Sequence, residues 1–278
     1  MTVKNQEKKV FVFDTAICNG CYCCQIACKD EHVANDWTPY AKPQPDTGQF
    51  WLKLNEYIRG TVPKVKMHYV PVLCQHCKDA PCMAACKVEG ALYRREDGLV
   101  ILDPVKCTGC KNCVDACPYG AIYFNEDLNI AQKCSGCAHL IDNGWKEPRC
   151  VDACPTQALK FMDESAAREL SSQAGILHPE YQTKPQVYYA NIPGKFVAGT
   201  IYDPVKKEII KNAVCTLTDT ANGKTLTTKT DGFGDFWFEG LGVGQFNLEI
   251  KADGFTAKNF KDINTEKDVN LGDVPLAI

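Results

Sequence analysis

Apolar and polar positions alternate in short runs through residues 195–278. Seven runs carry the period of two that marks a half-buried strand: Lys195–Tyr202, Ala213–Asp219, Lys224–Lys229, Asp235–Glu239, Gln245–Ala252, Thr256–Ile263 and Val269–Leu271. Asn222-Gly223, Asp231-Gly232 and Asp253-Gly254 supply turn signals between them. The pattern predicts a seven-stranded antiparallel β-sandwich or barrel. This stretch offers no catalytic dyad, metal-ligand spacing or phosphate loop, which leaves binding, docking or a structural cap as its role.

Upstream of residue 195 the pattern changes. Lys9–Asp14 (KVFVFD) reads as a strand, and a helical turn is expected over Cys28–Glu31. A unit then recurs. Gly90-Ala-Leu-Tyr follows one cysteine run and leads through Asp97-Gly98 to Leu99–Leu102. Gly120-Ala-Ile-Tyr follows the next and leads through Glu126-Asp127 to Ile130-Ala131. Both predict short hairpins. A third copy, Gln157–Asp163, is shorter. Asp163–Ser172 predicts a short helix, and the proline-punctuated stretch 178–193, with Lys184–Tyr189 (KPQVYY) at its centre, predicts an extended strap. Residues 32–71 interrupt the repeat with Trp37, Tyr40, Trp51, Tyr57 and several prolines. That segment is too aromatic for a disordered linker. It reads either as a loop packed over the core or as a docking surface.

What the repeat lacks is large apolar side chains, and what it holds instead is cysteine. Eighteen occur in the 278 residues, sixteen of them in four runs. Cys18-x2-Cys21-x2-Cys24-x3-Cys28 and Cys107-x2-Cys110-x2-Cys113-x3-Cys117-Pro118 have the bacterial spacing that holds [4Fe–4S] clusters. Cys74-x2-Cys77-x4-Cys82-x3-Cys86 and Cys134-x2-Cys137-x12-Cys150-x3-Cys154-Pro155 are variants. A zinc scaffold would need four thiolates, commonly as two separated pairs. Disulfide frameworks belong to short secreted chains. Four [4Fe–4S] clusters use all sixteen thiols and leave Cys23 and Cys215 over, both read as structural.

In two-cluster ferredoxins the last cysteine of one run ligates the other run's cluster. The first run then pairs with the fourth and the second with the third. The expected ligand sets are Cys18, Cys21, Cys24 and Cys154; Cys134, Cys137, Cys150 and Cys28; Cys74, Cys77, Cys82 and Cys117; and Cys107, Cys110, Cys113 and Cys86. Gly20, Gly109 and Gly136 let backbone N–H groups approach sulfur. Lys29, Lys78, Lys87, Lys106, Lys111, Lys133, Lys146 and Arg149 stand beside the runs, where basic charge offsets that of the clusters. The fold class is therefore α+β. Two ferredoxin-like modules fill residues 1–163 with the insert at 32–71, a helix and linker strap fill 164–194, and the sandwich fills 195–278.

The order of these runs, with the long loop before Cys150 and the Cys154-Pro155 ending, resembles the iron–sulfur subunits of molybdopterin oxidoreductases of the dimethyl-sulfoxide-reductase family. The resemblance covers about Val10–Asp163. The insert, the Lys184–Tyr189 strap and the added β domain look similar to the small subunits of the pyrogallol–phloroglucinol transhydroxylase and resorcinol hydroxylase branch. The last domain resembles a carboxypeptidase-regulatory-like, prealbumin-type sandwich. The resemblance implies an electron-transfer subunit paired with a large catalytic subunit, which alone would carry molybdenum and molybdopterin guanine dinucleotide. The transhydroxylase branch keeps three clusters, whereas all sixteen ligands are present here, which favours a hydroxylase or reductase that exchanges electrons with an outside partner. A free polyferredoxin carrier is the alternative, although a diffusing carrier needs neither the aromatic insert nor the β domain.

Charge and hydropathy narrow the remainder. A net charge of −3 gives no electrostatic footprint for nucleic acid. No apolar run is long enough to span a bilayer. The polar start, MTVKNQEKKV, has no export signal, so a cytoplasmic location is expected unless a signal-bearing partner carries the chain across. His32, His68, His76, His139 and His178 look scattered, and no catalytic residue is expected in this chain.

Overall fold

A computed structural model describes residues 7–170 and 174–278. The chain folds as two compact units, one formed by residues up to Glu56 with His68–Ile192, the other by Tyr57–Met67 with Pro193–Ile278.

The first unit is organised on β1 (Lys9–Asp14), whose Val10, Phe11, Val12 and Phe13 are all buried. A strand buried on both faces reads as a continuous apolar run, as this one does. Helix α1 (Cys23–Val33) follows the first cysteines, then a hairpin of β2 (Leu52–Thr61) and β3 (Lys64–Leu73). The repeat appears as α2 (Pro81–Ala85) with hairpin β4 (Leu92–Arg94) and β5 (Val100–Leu102), then α3 (Asn112–Asp115) with hairpin β6 (Ile122–Asn125) and β7 (Ile130–Lys133). Short helices α4 (Ala138–Asp142) and α5 (Arg149–Asp152) precede β8 (Leu159–Asp163), α6 (Glu164–Leu170), β9 (Ala174–Gly175) and β10 (Val187–Ala190). The sheet order is β8-β1-β10-β9, with β8 antiparallel and β10 parallel to β1. One face of β1 sends Phe11 and Phe13 into the main core; the other sends Val10 and Val12 against Ala167 of α6.

Two sequence expectations change here. The segment 178–193 is not merely a strap: β10 is an inner strand, with Val187 and Tyr189 at 0% exposure and the Tyr189 hydroxyl donating to the Pro71 carbonyl at 2.8 Å. Its partner β1 is some 176 positions away in register, beyond any local signal. The insert 32–71 is divided between the units. Its first part packs over hairpin β6–β7: Gln49 Nε2 donates to the Phe124 carbonyl at 2.6 Å, and the Tyr123 hydroxyl to the Phe50 carbonyl at 2.9 Å. Trp51 is buried in the core. The hairpin β2–β3 has its tip in the second unit.

That unit is an open sandwich of eight strands among the described residues. Strand β11 (Lys195–Asp203) pairs with the two-residue β12 (Glu208–Ile209) and with β15 (Asp235–Leu241), and in parallel with β18 (Val269–Pro275). The second sheet runs β14 (Thr225–Lys229), β13 (Val214–Asp219), β16 (Gln245–Lys251), β17 (Lys258–Asn264). The eighth strand, β12, is two exposed residues, too short to show alternation. The barrel alternative is set aside, since the sheets are separate, and the antiparallel expectation fails at one pair, since β11 and β18 run parallel. Inward positions such as Val197, Ile201, Cys215, Leu217, Phe236 and Leu248 form the core, as alternation along each strand requires. On the hairpin tip Arg59 forks onto Asp268, Nε to Oδ2 at 2.9 Å and Nη2 to Oδ1 at 2.5 Å, and Lys64 pairs with Asp235.

Candidate metal centres

All eighteen cysteines are free thiols. Their positions follow from short helices that open at residues in the left-handed region or next to proline. Tyr22, at φ 61°, turns the chain into α1, which carries Cys24 and Cys28; Lys111, at φ 61°, does the same before Cys113. Pro81 opens α2 ahead of Cys82, and Pro148 caps α5 ahead of Cys150.

Mutual electrostatics sorts the thiols into four sets. Burial pushes the Cys24 thiol up to about 12, with further upward pressure from Cys154, Cys18 and Cys21. Burial raises Cys18 too, and Cys154 and Cys21 act on it. Cys28, on the same helix as Cys24, is held well above the usual thiol range by burial first, then by Cys134 and Cys137 of another run, with Cys24 a smaller influence. Cys150 is raised by burial and then by Cys137, Cys28 and Cys134. Burial pushes Cys82 up to about 12, with Cys74, Cys117 and Cys77 adding to it. Burial takes Cys113 to about 11, joined by Cys107, Cys86 and Cys110. Cys86, Cys107, Cys110 and Cys113 also line one pocket with Leu92, Leu102 and Ala131. In each set three thiols come from one run and the fourth from its partner run.

The sets also adjoin one another. Cys24 acts on Cys150, Cys74 acts on Cys134, and Cys82, Cys113 and Cys117 share one apolar cluster. Exposure grades along this order. Cys21 and Cys110 are exposed, whereas Cys28, Cys134, Cys137 and Cys150 are all buried.

The donors suit an iron–sulfur group. Among the described residues no three His, Cys, Asp or Glu side chains converge closely enough for a single metal ion. Burial raises the thiols of Cys28, Cys134, Cys137 and Cys150, and such thiols give up their protons readily only to a strongly cationic core, which reverses the local pKa logic. Backbone amides already point at sulfur: Gly136 N–H to Cys134 Sγ at 3.3 Å and Ala131 N–H to Cys107 Sγ at 3.5 Å. Buried polar atoms lacking a partner stand nearby, including Ser135 Oγ inside the fourth run and His76 Nε2 inside the second.

The Cys-x-Gly-Cys loops explain why glycine was worth singling out. Gly20, Gly109 and Gly136 have φ of +69°, +72° and +64°, and a Cβ would lie 2.2 Å from the Tyr69 ring, 2.5 Å from the Asn129 carbonyl and 2.8 Å from Leu99. In the second run His76 holds the equivalent place at φ 44°. Its Nδ1 accepts the Val100 N–H at 3.0 Å, so the ring proton is on Nε2. A left-handed histidine among three glycines was missed by the spacing argument, although Cys74-Gln-His76-Cys77 displays it.

The histidines are less scattered than the sequence suggested. His32 and His139 lie with ring centroids 5.5 Å apart, and His32 Nε2 is 4.0 Å from Cys137 Sγ. Burial, then the charge of His139, lowers His32 to about 3, which keeps it neutral. Glu31 joins His139 at 3.0 Å and Arg149 at 3.5 Å, tying α1 to α4 and α5. Cys23 is exposed, and its nearest influence is Cys21. Cys215 lies in the sandwich core.

This is the architecture of an iron–sulfur protein that also carries a β-sandwich, and comparison with known proteins agrees. A 4Fe–4S dicluster domain model matches residues 65–164 and a carboxypeptidase regulatory-like domain model residues 197–276. The small subunit of pyrogallol hydroxytransferase from Pelobacter acidigallici is 36% identical over 97% of this chain and 100% of that protein. A tetrathionate reductase subunit of Salmonella typhimurium is 32% identical over 69% of this chain and 76% of that protein. A component of the anaerobic dimethyl sulfoxide reductase of Escherichia coli is 35% identical over 49% of this chain and 64% of that protein. The chain belongs to the family of iron–sulfur subunits of dimethyl-sulfoxide-reductase-type molybdenum oxidoreductases.

Proposed function

We propose that this chain relays electrons through four [4Fe–4S] clusters, held in two ferredoxin-like modules, to or from a separate molybdopterin-containing catalytic subunit. The reading is carried by the four sets of thiols, each completed by one cysteine of the partner run and each adjoining the next. The ligands are Cys18, Cys21, Cys24 and Cys154; Cys28, Cys134, Cys137 and Cys150; Cys74, Cys77, Cys82 and Cys117; Cys86, Cys107, Cys110 and Cys113. When bound, such clusters supply one-electron chemistry over potentials of about −700 to +450 mV, set by charge, hydrogen bonding and exposure. The chain's own part is to hold the thiolates, aim amide N–H groups at sulfur and keep water from the inner two sets. The exposed thiols Cys21 and Cys110 mark the two ends at which electrons enter and leave. A phenolic substrate of the pyrogallol or resorcinol type is proposed for the partner subunit, on the full-length similarity to the pyrogallol hydroxytransferase small subunit.

Replacing one exchanged ligand tests the arrangement. Cys117→Ser should perturb the same cluster signal, in electron paramagnetic resonance of the reduced protein, as Cys82→Ser. A Cys117→Ser spectrum that instead matches Cys113→Ser refutes the exchange. Anaerobically isolated protein should hold about sixteen irons per chain, four per cluster, and should co-purify with a molybdenum-bearing subunit.

A further inference from the structure

Lys133 is 3% exposed, and both of its hydrogen-bond partners are uncharged carbonyls. Its Nζ donates to the carbonyl of Val100 and to that of Cys134, the latter at 3.0 Å. No carboxylate among the described residues pairs with it. A buried ammonium without a counter-charge is strongly disfavoured. Such a lysine is retained where negative charge arrives from another source.

The surroundings identify that source. Lys133 ends β7, faces Ile122 of β6 in register, and precedes the fourth run directly. Val100, whose carbonyl accepts from Lys133, packs in one apolar cluster with Cys82 and Cys117, and Cys134 follows the lysine directly. Cys82 and Cys117 belong to the third set of ligands and Cys134 to the second. Those two sets meet here, since Cys74 and Cys134 pack in one core cluster. Lys133 therefore stands at the midpoint of the series, where one module hands over to the other.

We propose that Lys133 is the shared counter-charge of the two inner clusters and sets their reduction potentials together. The proposal rests on the four-cluster reading above. An added electron makes a cluster more negative, so a fixed positive charge beside it favours the reduced form. In a buried site that attraction is weakly screened. Because one ammonium acts on both inner clusters, it raises both and limits the step between the two modules.

The test is an anaerobic redox titration of the iron-loaded full-length protein, followed by electron paramagnetic resonance, for wild type, Lys133→Met and Lys133→Arg. Lys133→Met should make the reduction equilibrium of two of the four clusters at least tenfold less favourable, which is about 59 mV for a one-electron couple. The other two should move far less, and Lys133→Arg should stay near wild type. Should Lys133→Met fail to retain iron, loss confined to two clusters and prevented by arginine supports the same role. Unchanged potentials at full iron content overturn it, as does iron loss that arginine does not prevent. Failure of the four-cluster reading would appear separately, as fewer than four clusters in the unsubstituted protein.

Discussion

Arg59→Ala is expected to loosen the second unit by about 3 kcal/mol at neutral pH. The guanidinium makes two bonds to the Asp268 carboxylate, one to the Pro193 carbonyl at 3.1 Å and one to the Gly194 carbonyl. The two side chains are 14% and 7% exposed. Truncation leaves the Asp268 side chain, at 7% exposure, with the Phe196 N–H at 3.0 Å as its remaining donor. Breaking a buried pair from one side costs about 3–5 kcal/mol. Protonation of the stranded carboxyl caps the penalty, because neutralising an ordinary aspartate at pH 7 costs about 4 kcal/mol. The pH dependence follows with a definite sign. Burial acts to raise the Asp268 carboxyl, but hydrogen bonds from Arg59 and Phe196 and the charges of Arg59 and Lys195 outweigh it, leaving it below the usual range. A depressed carboxyl contributes stability that is present above the unfolded value of about 3.9 and is lost as pH falls through the folded value. In the variant only the Phe196 N–H and the charge of Lys195 still oppose burial, the carboxyl rises, and stability is lost as pH climbs. The gap between wild type and variant should therefore be widest near neutrality and close towards pH 4. Amide hydrogen exchange in β11 and β18 of the full-length protein reads the opening of this unit without assuming that the whole chain unfolds as one. A difference below about 1 kcal/mol at pH 7, on the scale of an exposed pair, or a gap that widens on acidification, would refute the reasoning.

Other substitutions probe the centres themselves. Gly109→Ala forces a side chain into a left-handed residue, at about 1–2 kcal/mol, and drives its Cβ to 2.5 Å from the Asn129 carbonyl. Iron should leave this variant faster under a chelator. Gly223→Ala, at φ +71° with nothing within 4 Å, should leave iron retention at the wild-type rate. Cys21→Ser should lower the iron content while Cys23→Ser, two positions away, leaves it at the wild-type value; equal loss in both would remove Cys21 from the ligand set. Cys215→Ala should change no cluster signal, since Cys215 packs only in the sandwich core, but should lower that unit's stability by about 1 kcal/mol.

The cysteine runs and the hairpins between them were legible because their code is local. A cysteine run fixes its own geometry within a few residues, and Asp97-Gly98 declares a hairpin without reference to the rest of the chain. Alternation likewise placed seven of the sandwich strands, and each turn dipeptide marked a real boundary. Pairing over long separations was not legible. Period-two alternation in Val187–Ala190 is compatible with an exposed strap or a buried strand, and only the parallel register with β1 decides between them. The hairpin β2–β3 was hidden for a different reason. Much of β2 is exposed or half-buried, so its polar and apolar positions do not sort cleanly into two faces.

The charged surroundings of the clusters lie furthest from what a sequence displays, and two lysines make the point. Lys106-Cys107 and Lys133-Cys134 are the same dipeptide at the same place in two successive runs. Lys106 has a side chain 55% exposed and an aspartate, Asp103, at 3.9 Å. Lys133 is 3% exposed and bound to two carbonyls. The difference lies with Val100, thirty-three positions upstream of Lys133 on β5, whose carbonyl accepts from the second lysine. Thiol spacing thus determines where iron can be held, whereas the packing of hairpin on hairpin determines which cations share its field. A potential difference along the relay is consequently a property of tertiary packing, and substitutions at the Val100–Lys133 contact should alter it without touching a ligand.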